Sequence, residues 1–428
     1  MESGKLSEDY ALQLDARDPL APFKHRFHHI DGAIYMDGNS LGLMCREAEE
    51  SLMRVVEEWR TLGIGGWTRA KVPWIRFAEE LGRLTEPLVG AEPGEVVATG
   101  GTTINLHALV ATFYNPQGER RRILADELNF PSDLYALASQ IALRGGDPWE
   151  DLVLVRSRDG HTIEEDDVVE AMGQGVQLAL LPSVYYRSGQ LLDMERLTRE
   201  AHERGITIGF DLGHSVGVVP HRLHQWGVDF AFWCNYKYVN GGPGSIGGLY
   251  VHQKHWGRRP GLAGWFGNDR STMFDMRLEF QPAGDASAWQ IGTTHILSAA
   301  PVEGSLRLIN EAGIDRVREK SKAITSYLIE LVDGLLPEEE YGFHVVTPRD
   351  PERRGGHVGV SHPDGWRVNQ ALIARGVVPD FRPPNIIRLA PVPLYTSYHD
   401  VWRTVHHMKA IIDRGEHLSF SKEKPTVT

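Results

Sequence analysis

Short apolar runs alternate with stretches of helical periodicity through the middle of the chain. The runs 122–125, 151–155, 176–181, 206–211, 230–234 and 247–251 are apolar almost throughout and predict strands. Between them, a stretch ending near Leu143 and the stretches 164–172 and 194–204 predict helices. Strands apolar on both faces and separated by helices predict an α/β fold with a mostly parallel, covered sheet. Ahead of this block the pattern predicts a short strand near 33–36 and a helix over 45–60, with Leu52, Val55, Val56 and Trp59 on one face. A loop at 63–66 and a second helix over 79–89 follow. After about Ala299 the texture changes. Helices over 304–310, 314–335, 367–374 and 398–412 mix with strands over 343–346, 357–361 and 386–389. The expected division is an N-terminal segment (1–30), a large domain (31–299) and a smaller C-terminal α+β domain (300–428) completed by the N-terminal segment.

Composition narrows the class. The chain has 428 residues, 41% hydrophobic and 24% charged, as in an ordinary globular protein. A formal charge of −12 argues against nucleic acid or an anionic membrane as the main partner. Two cysteines, Cys45 and Cys234, exclude a disulfide framework and a multi-cysteine metal site. His25, His28 and His29 cluster near the N-terminus without the carboxylates or thiols that complete a metal site, so no metal is expected. The first residues carry no apolar signal core, and no run reaches the length of a membrane helix. The expected setting is cytoplasmic.

In such a sheet, ligand groups sit at the C-terminal ends of strands. Lys237 follows the apolar run 230–234 and precedes Gly241, Gly242 and Gly244. An amine held at the end of a buried strand is partly dry, which lowers its pKa and suits it to attack an aldehyde. A plain solvated lysine fits the same place. Asp211 ends the run 206–211, with His214 three residues on. An aspartate there can keep a pyridinium nitrogen protonated, so that the ring of pyridoxal phosphate acts as an electron sink. It also suits a helix N-cap. Together Asp211 and Lys237, with room between them for one crossover helix and a strand, point to a pyridoxal-phosphate site.

Other candidates fall at the same edge. Gly100-Gly101-Thr102-Thr103 leads from a strand into a helix, aiming free N–H groups and hydroxyls at one point, as a phosphate needs. The same residues make an ordinary N-cap. Phe130, ahead of Ser132 and Asp133, either stacks on a ring or joins the core. Ser183 follows the run 176–181, and Gly292-Thr293-Thr294 is a polar turn able to meet a phosphate. Trp67 is core or a stacking surface. Trp265 lies in a glycine-rich loop of the kind that caps a site or crosses to a partner subunit. Arg388 stands in an apolar strand, where it either forks onto a carboxylate or sits at an edge.

The order of these motifs resembles the kynureninases, in the aspartate-aminotransferase fold group of pyridoxal-phosphate enzymes (fold type I, with a seven-stranded-type sheet). The carrying residues are Asp37-Gly-Asn-Ser-Leu-Gly-Leu43, Thr102-Thr-Ile-Asn-Leu-His107, Asn129-Phe-Pro-Ser-Asp133, Asp211-Leu-Gly-His214, Asn235-Tyr-Lys-Tyr-Val-Asn-Gly-Gly-Pro-Gly244, Leu262-Ala-Gly-Trp-Phe-Gly267 and Ile387-Arg-Leu-Ala-Pro-Val-Pro-Leu-Tyr395. The resemblance implies pyridoxal 5′-phosphate as a Schiff base on Lys237, with Asp211 on the pyridine nitrogen and Phe130 on the ring. Ser132, Asp133, Ser183 and His214 are further cofactor positions. Thr102, Thr103 and Tyr236 meet the phosphate, joined by Trp265 and Thr293 from the other subunit of a homodimer. Tyr236 also exchanges protons in catalysis. Arg388 takes the substrate carboxylate, and Asn39 and Ser40 line that end. Trp67, where animal enzymes carry histidine, suggests the bacterial preference for kynurenine over 3-hydroxykynurenine. The implied activity is hydrolysis of L-kynurenine to anthranilate and L-alanine, in tryptophan breakdown or NAD precursor supply. An aminotransferase of the same fold is the alternative. A cysteine desulfurase needs a cysteine nucleophile after the lysine, and none follows Cys234.

Overall fold

The computed structural model describes residues 3–173 and 175–423. Seven strands form the central sheet, in spatial order Val96–Ala98, Gly248–Val251, Phe230–Trp233, Thr207–Asp211, Val176–Pro182, Arg122–Asp126 and Leu152–Val155. The last five pair in parallel, while Gly248–Val251 runs against both of its neighbours. The mostly parallel α/β sheet expected from the apolar runs is therefore present.

Period two explains why those runs read as continuously apolar. Leu178, Leu180, Phe230 and Phe232 face one core. Ala179, Leu181, Ala231 and Trp233 face the other. Helices Thr102–Phe113 and Pro131–Leu143 cover the first face. Helices Arg46–Leu62, Phe77–Val89, Met194–Glu203 and Ile296–Ala312 cover the second. Each buried leucine or phenylalanine contributes about 1.5–3 kcal/mol. Helix Ile296–Ala312 crosses Arg46–Leu62 so closely that a Cβ on Gly304 would collide with the Glu47 carbonyl oxygen.

The C-terminal unit has its own core and a four-stranded antiparallel sheet, ordered Asp380–Arg382, Ile386–Leu389, Val358–Ser361, His344–Val345. Helix Ile314–Leu335 joins the two cores, contributing Val317 to the first and Ile324 to the second. The N-terminal segment packs on the C-terminal unit. The Asp15 carboxylate accepts the backbone N–H groups of Tyr398 (2.7 Å) and His399 (3.0 Å) at the start of helix Tyr398–Asp413. Strand Ile34–Tyr35 pairs in parallel with Val377–Val378, and Asp37 bridges to Ala390. That pairing delivers Asn39 and Ser40 to the side of Arg388.

Several local expectations need correction. The segment 1–30 holds a helix, Glu8–Ala16, started by the Ser7 hydroxyl accepting from the Tyr10 N–H. Residues 63–66 are helical turns, Gly63–Gly65 and Gly66–Arg69, rather than an open loop. The helix expected over 304–310 spans Ile296–Ala312 and passes through Pro301. Burial of Ala299, Ala300 and Val302 around the proline outweighs the one backbone bond it removes. These residues join the first core, so the expected 299/300 division falls inside this helix.

Candidate active site

The C-terminal ends of the parallel strands open into a cavity of about 220 Å³. Asn39, Ser40, Thr102, Thr103, Phe130, Ser132, Asp133, Asp211, His214, Tyr236, Lys237 and Arg388 all line it. Asp211 and Lys237 reach its floor because Asp211 ends strand Thr207–Asp211 and Lys237 lies just beyond strand Phe230–Trp233. The Lys237 amine lies 2.9 Å from His214 Nε2.

Asp211 Oδ1 accepts the Gly213 N–H at 2.7 Å. Its carboxyl faces that of Asp133, which burial and the Asp211 charge push well above the usual carboxylate range. Burial also raises Asp211, against the opposing charge of Lys237. Burial holds the His214 imidazole well below its ordinary pKa, with Lys237 and Arg388 adding to the effect, so it is neutral. Burial and the neighbouring Cys234 thiol push the Tyr236 phenol up, so it stays protonated.

The rim opposite Asp211 is built for an anion. Helix Thr102–Phe113 begins at Gly101 with no side chain capping its first N–H groups. The Thr103 and Ser132 hydroxyls meet there at 2.7 Å. Phe130 is 45% exposed and presents a bare ring, edge-on to Tyr186 at 5.4 Å.

Arg388 lies at the far end, fully buried. Its cross-strand partner is Asp380, and the two form an ion pair. Nη1 donates to the Tyr186 carbonyl at 2.8 Å and Nη2 to Ser40 Oγ at 2.9 Å. With its amide oxygen turned toward the guanidinium, Asn39 accepts from Nη1 at 3.3 Å and donates to Asp37 at 3.2 Å. Arg382, also on the cavity wall, contacts Asp380 at 3.0 Å. Burial and the Asp380 charge raise Asp37 to about 6.

Four expected residues lie elsewhere within this chain. Ser183 is buried beneath the wall, donating to the Asp211 carbonyl at 3.0 Å and meeting Ser215 Oγ at 2.8 Å. Trp67 packs edge-on against Trp74 and Phe266 and lines a separate groove with Trp59, Thr294 and Leu297. Thr293 lines a second recess with Gly100 and Ile104. Trp265 packs on Phe266 and Phe274 and donates to the Met273 carbonyl at 3.2 Å. Sequence reasoning missed Asp37, Tyr186, Asp380 and Arg382. The charged alternation Asp380-Phe381-Arg382, just ahead of the Arg388 strand, was the available signal. Glu95, His224 and His252 place metal-ligating atoms within 4.8 Å of one another at the opposite end of the sheet. Glu95 already accepts the N–H groups of Glu92 (2.9 Å) and Gln253 (2.8 Å), and His252 Nδ1 that of Lys254 (3.1 Å).

An amine, a buried carboxylate, an exposed ring and an uncapped helix start with two hydroxyls are the donor set that fits pyridoxal phosphate. Fold and site together define a pyridoxal-phosphate enzyme of fold type I. A family profile described as the kynureninase C-terminal domain matches residues 317–408. Proteins named kynureninase from Geobacillus thermodenitrificans (strain NG80-2) and Bacillus anthracis are 52% identical over 98% of this chain and 97% of their own length. The chain belongs to the kynureninase family.

Among solved structures, the apo cysteine desulfurase from Thermococcus onnurineus NA1 superposes with TM-score 0.78 at 18% identity, covering 92% of this chain and 98% of that one. A C-DES mutant with glycine covalently linked to its PLP cofactor gives 0.77 at 16% identity, covering 90% and 98%. At that identity the likeness is one of fold. Both cysteines here are buried, and neither follows Lys237.

Proposed function

We propose that this chain hydrolyses the Cβ–Cγ bond of L-kynurenine to anthranilate and L-alanine. The hydroxyl of water goes to the γ-carbon, which becomes the carboxylate of anthranilate, and a proton goes to Cβ, which becomes the methyl of alanine. The observation that carries the reading is a lysine and a buried arginine at opposite ends of one cavity, in a chain of this family. Pyridoxal phosphate, when bound, supplies the electron sink that makes the α-proton and the Cβ–Cγ bond labile.

The chain's own residues divide the remaining work. Lys237 holds the cofactor and then takes the α-proton at its amine. The neutral His214, whose Nε2 lies 2.9 Å from that amine, aims it. Asp211 holds the pyridine nitrogen, with the buried Asp133 beside it. Thr102, Thr103 and Ser132 cradle the phosphate at the helix start. Tyr236, its phenol kept protonated, supplies a proton across the cavity. Arg388 receives the substrate carboxylate in a forked pair, displacing Ser40 and Asn39, two neutral acceptors that it holds meanwhile.

The assembly we propose is a cytoplasmic homodimer with shared sites. Trp265, Phe274, Met276 and Leu278 form an exposed apolar loop, and Ile104 and Leu297 lie exposed beside Thr293 and Thr294. Such a face suits a second copy that carries Trp265, Thr293 and Trp67 to the neighbouring cavity. Trp67 would then set the preference for kynurenine over 3-hydroxykynurenine.

Anthranilate fluorescence tests the reaction. Holoenzyme with L-kynurenine should produce anthranilate, and Lys237→Ala should produce none above background. A holoenzyme with its cofactor absorbance intact that cleaves neither kynurenine nor 3-hydroxykynurenine would refute the substrate assignment.

A further inference from the structure

At the cavity wall two imidazoles from different parts of the fold pack together. His214 follows the strand Thr207–Asp211 of the central sheet. His357 immediately precedes Val358–Ser361 of the C-terminal sheet. Their ring centroids are 5.6 Å apart and the rings are inclined at 56°. His214 Nε2 is engaged by the Lys237 amine, while Nδ1 is buried with no hydrogen-bond partner among protein atoms. His357 has no exposed surface, and neither of its nitrogens makes a well-formed hydrogen bond.

The chemistry of a neutral imidazole restricts what this pair can do. Burial, with the charges of Lys237 and Arg388, holds both rings far below their ordinary pKa, so each carries one N–H and one lone pair. When the Lys237 amine donates to Nε2, the His214 proton sits on the buried Nδ1. The Tyr186 carbonyl favours a His357 N–H directed toward it. That leaves the other His357 nitrogen as an acceptor. A buried donor without an acceptor costs on the order of 1–3 kcal/mol, so a donor and an acceptor facing across such a gap are a matched pair. Ring centroids 5.6 Å apart bring the edges of the two rings into the range of a direct hydrogen bond or one bridging water. Gly189, at φ +74°, packs against His357: a Cβ there would lie 2.6 Å from its carbonyl oxygen and 3.4 Å from Nε2. The Tyr186 carbonyl is also the acceptor for Arg388 Nη1.

We propose that His357 is a positioning residue for Lys237. It accepts the Nδ1 proton of His214, directly or through one water, and so fixes the His214 tautomer whose Nε2 lone pair aims the lysine amine. The line runs Arg388, Tyr186 carbonyl, His357, His214, Lys237. It ties the end of the cavity that receives the substrate carboxylate to the group that moves the proton. Lys237, Arg388 and Arg382 are the charges facing the pair, and Asp380 offsets both arginines.

This inference rests on the reading of Lys237 as the cofactor-bearing lysine. Borohydride reduction followed by peptide mapping settles that point separately, since cofactor trapped on another lysine ends the reading itself. The test of His357 is the visible absorbance of substrate-free holoenzyme against pH, which reports protonation at the lysine–cofactor linkage whatever the substrate. His357→Phe should move the midpoint by about one pH unit and His357→Gln by much less, because the amide retains an acceptor. With L-kynurenine, His357→Phe should lower kcat about tenfold and leave KM within about twofold. An unmoved midpoint, or a change confined to KM, overturns the proposal. Should His357→Phe fail to fold, a crystal structure of wild-type holoenzyme decides. A His357 nitrogen or a shared water within hydrogen-bond distance of His214 Nδ1 supports the link, and an apolar or empty gap overturns it.

Discussion

Asp37 illustrates how one side chain conditions the carboxylate end of the cavity. Its carboxyl, raised to about 6, is neutral in acid and gains its charge as pH rises through that value. Because the folded pKa lies above the unfolded one, the stability given by the neutral form is lost as pH rises from the usual carboxylate range through 6. If Arg388 takes the substrate carboxylate as proposed, the new charge competes with it. The KM for L-kynurenine should therefore climb about threefold or more between roughly pH 5 and 7 in the wild type, and stay flatter in Asp37→Asn. Parallel pH profiles that show the same slope for both proteins would refute this. Lys237, Asp211 and Arg388 are legible in the sequence because each is a polar group ending or interrupting an apolar strand. Asp380 and Arg382 are not, because their meaning depends on the ladder that sets Asp380 opposite Arg388. His357 and Asp37 acquire theirs from neighbours far along the chain.

Elements carry the site by how closely they pack. The crossing of Ile296–Ala312 with Arg46–Leu62 depends on the missing side chain of Gly304. Gly304→Ala should cost about 1–3 kcal/mol through overpacking, read as a lowered midpoint in chemical denaturation. Unchanged stability would mean that the two helices separate freely. At the start of helix Tyr398–Asp413, Ser397 and Asp400 cap each other's backbone, and Lys24 holds Asp400 at 2.6 Å. Ser397→Ala should cost about 1 kcal/mol, with no change in cofactor absorbance. The central strands are readable from the sequence because both faces are buried and every position is apolar. The strand Val377–Val378 and the first turns of the helix through Pro301 are not, since tertiary packing overrides their weak local signals.

At the scale of the whole molecule, Trp67, Trp265 and Thr293 line no part of the cavity that holds Lys237. A shared dimer site predicts complementation between two inactive chains. Co-expression of Lys237→Ala with a Trp265→Ala, Thr293→Ala double variant should restore activity at about a quarter of the sites, because half the dimers are mixed and each has one intact site. No recovery in mixtures shown to contain heterodimer would mean that these residues do not serve a neighbouring cavity. This layer of organisation was read from family likeness alone. A single chain's pattern of apolar and polar positions does not tell an interface from a core.

The pairing of Ile34–Tyr35 with Val377–Val378, continued by the bond between Ser40 and Arg388, joins positions 348 residues apart. During synthesis, the end of the cavity formed by Ser40 and Arg388 stays incomplete until residue 388 has left the ribosome. The central sheet, by contrast, is fully translated well over a hundred residues earlier. A nascent chain can thus own the floor of the cavity while its far wall is still missing. If Arg388 takes the substrate carboxylate as proposed, the order of translation makes recognition a late competence.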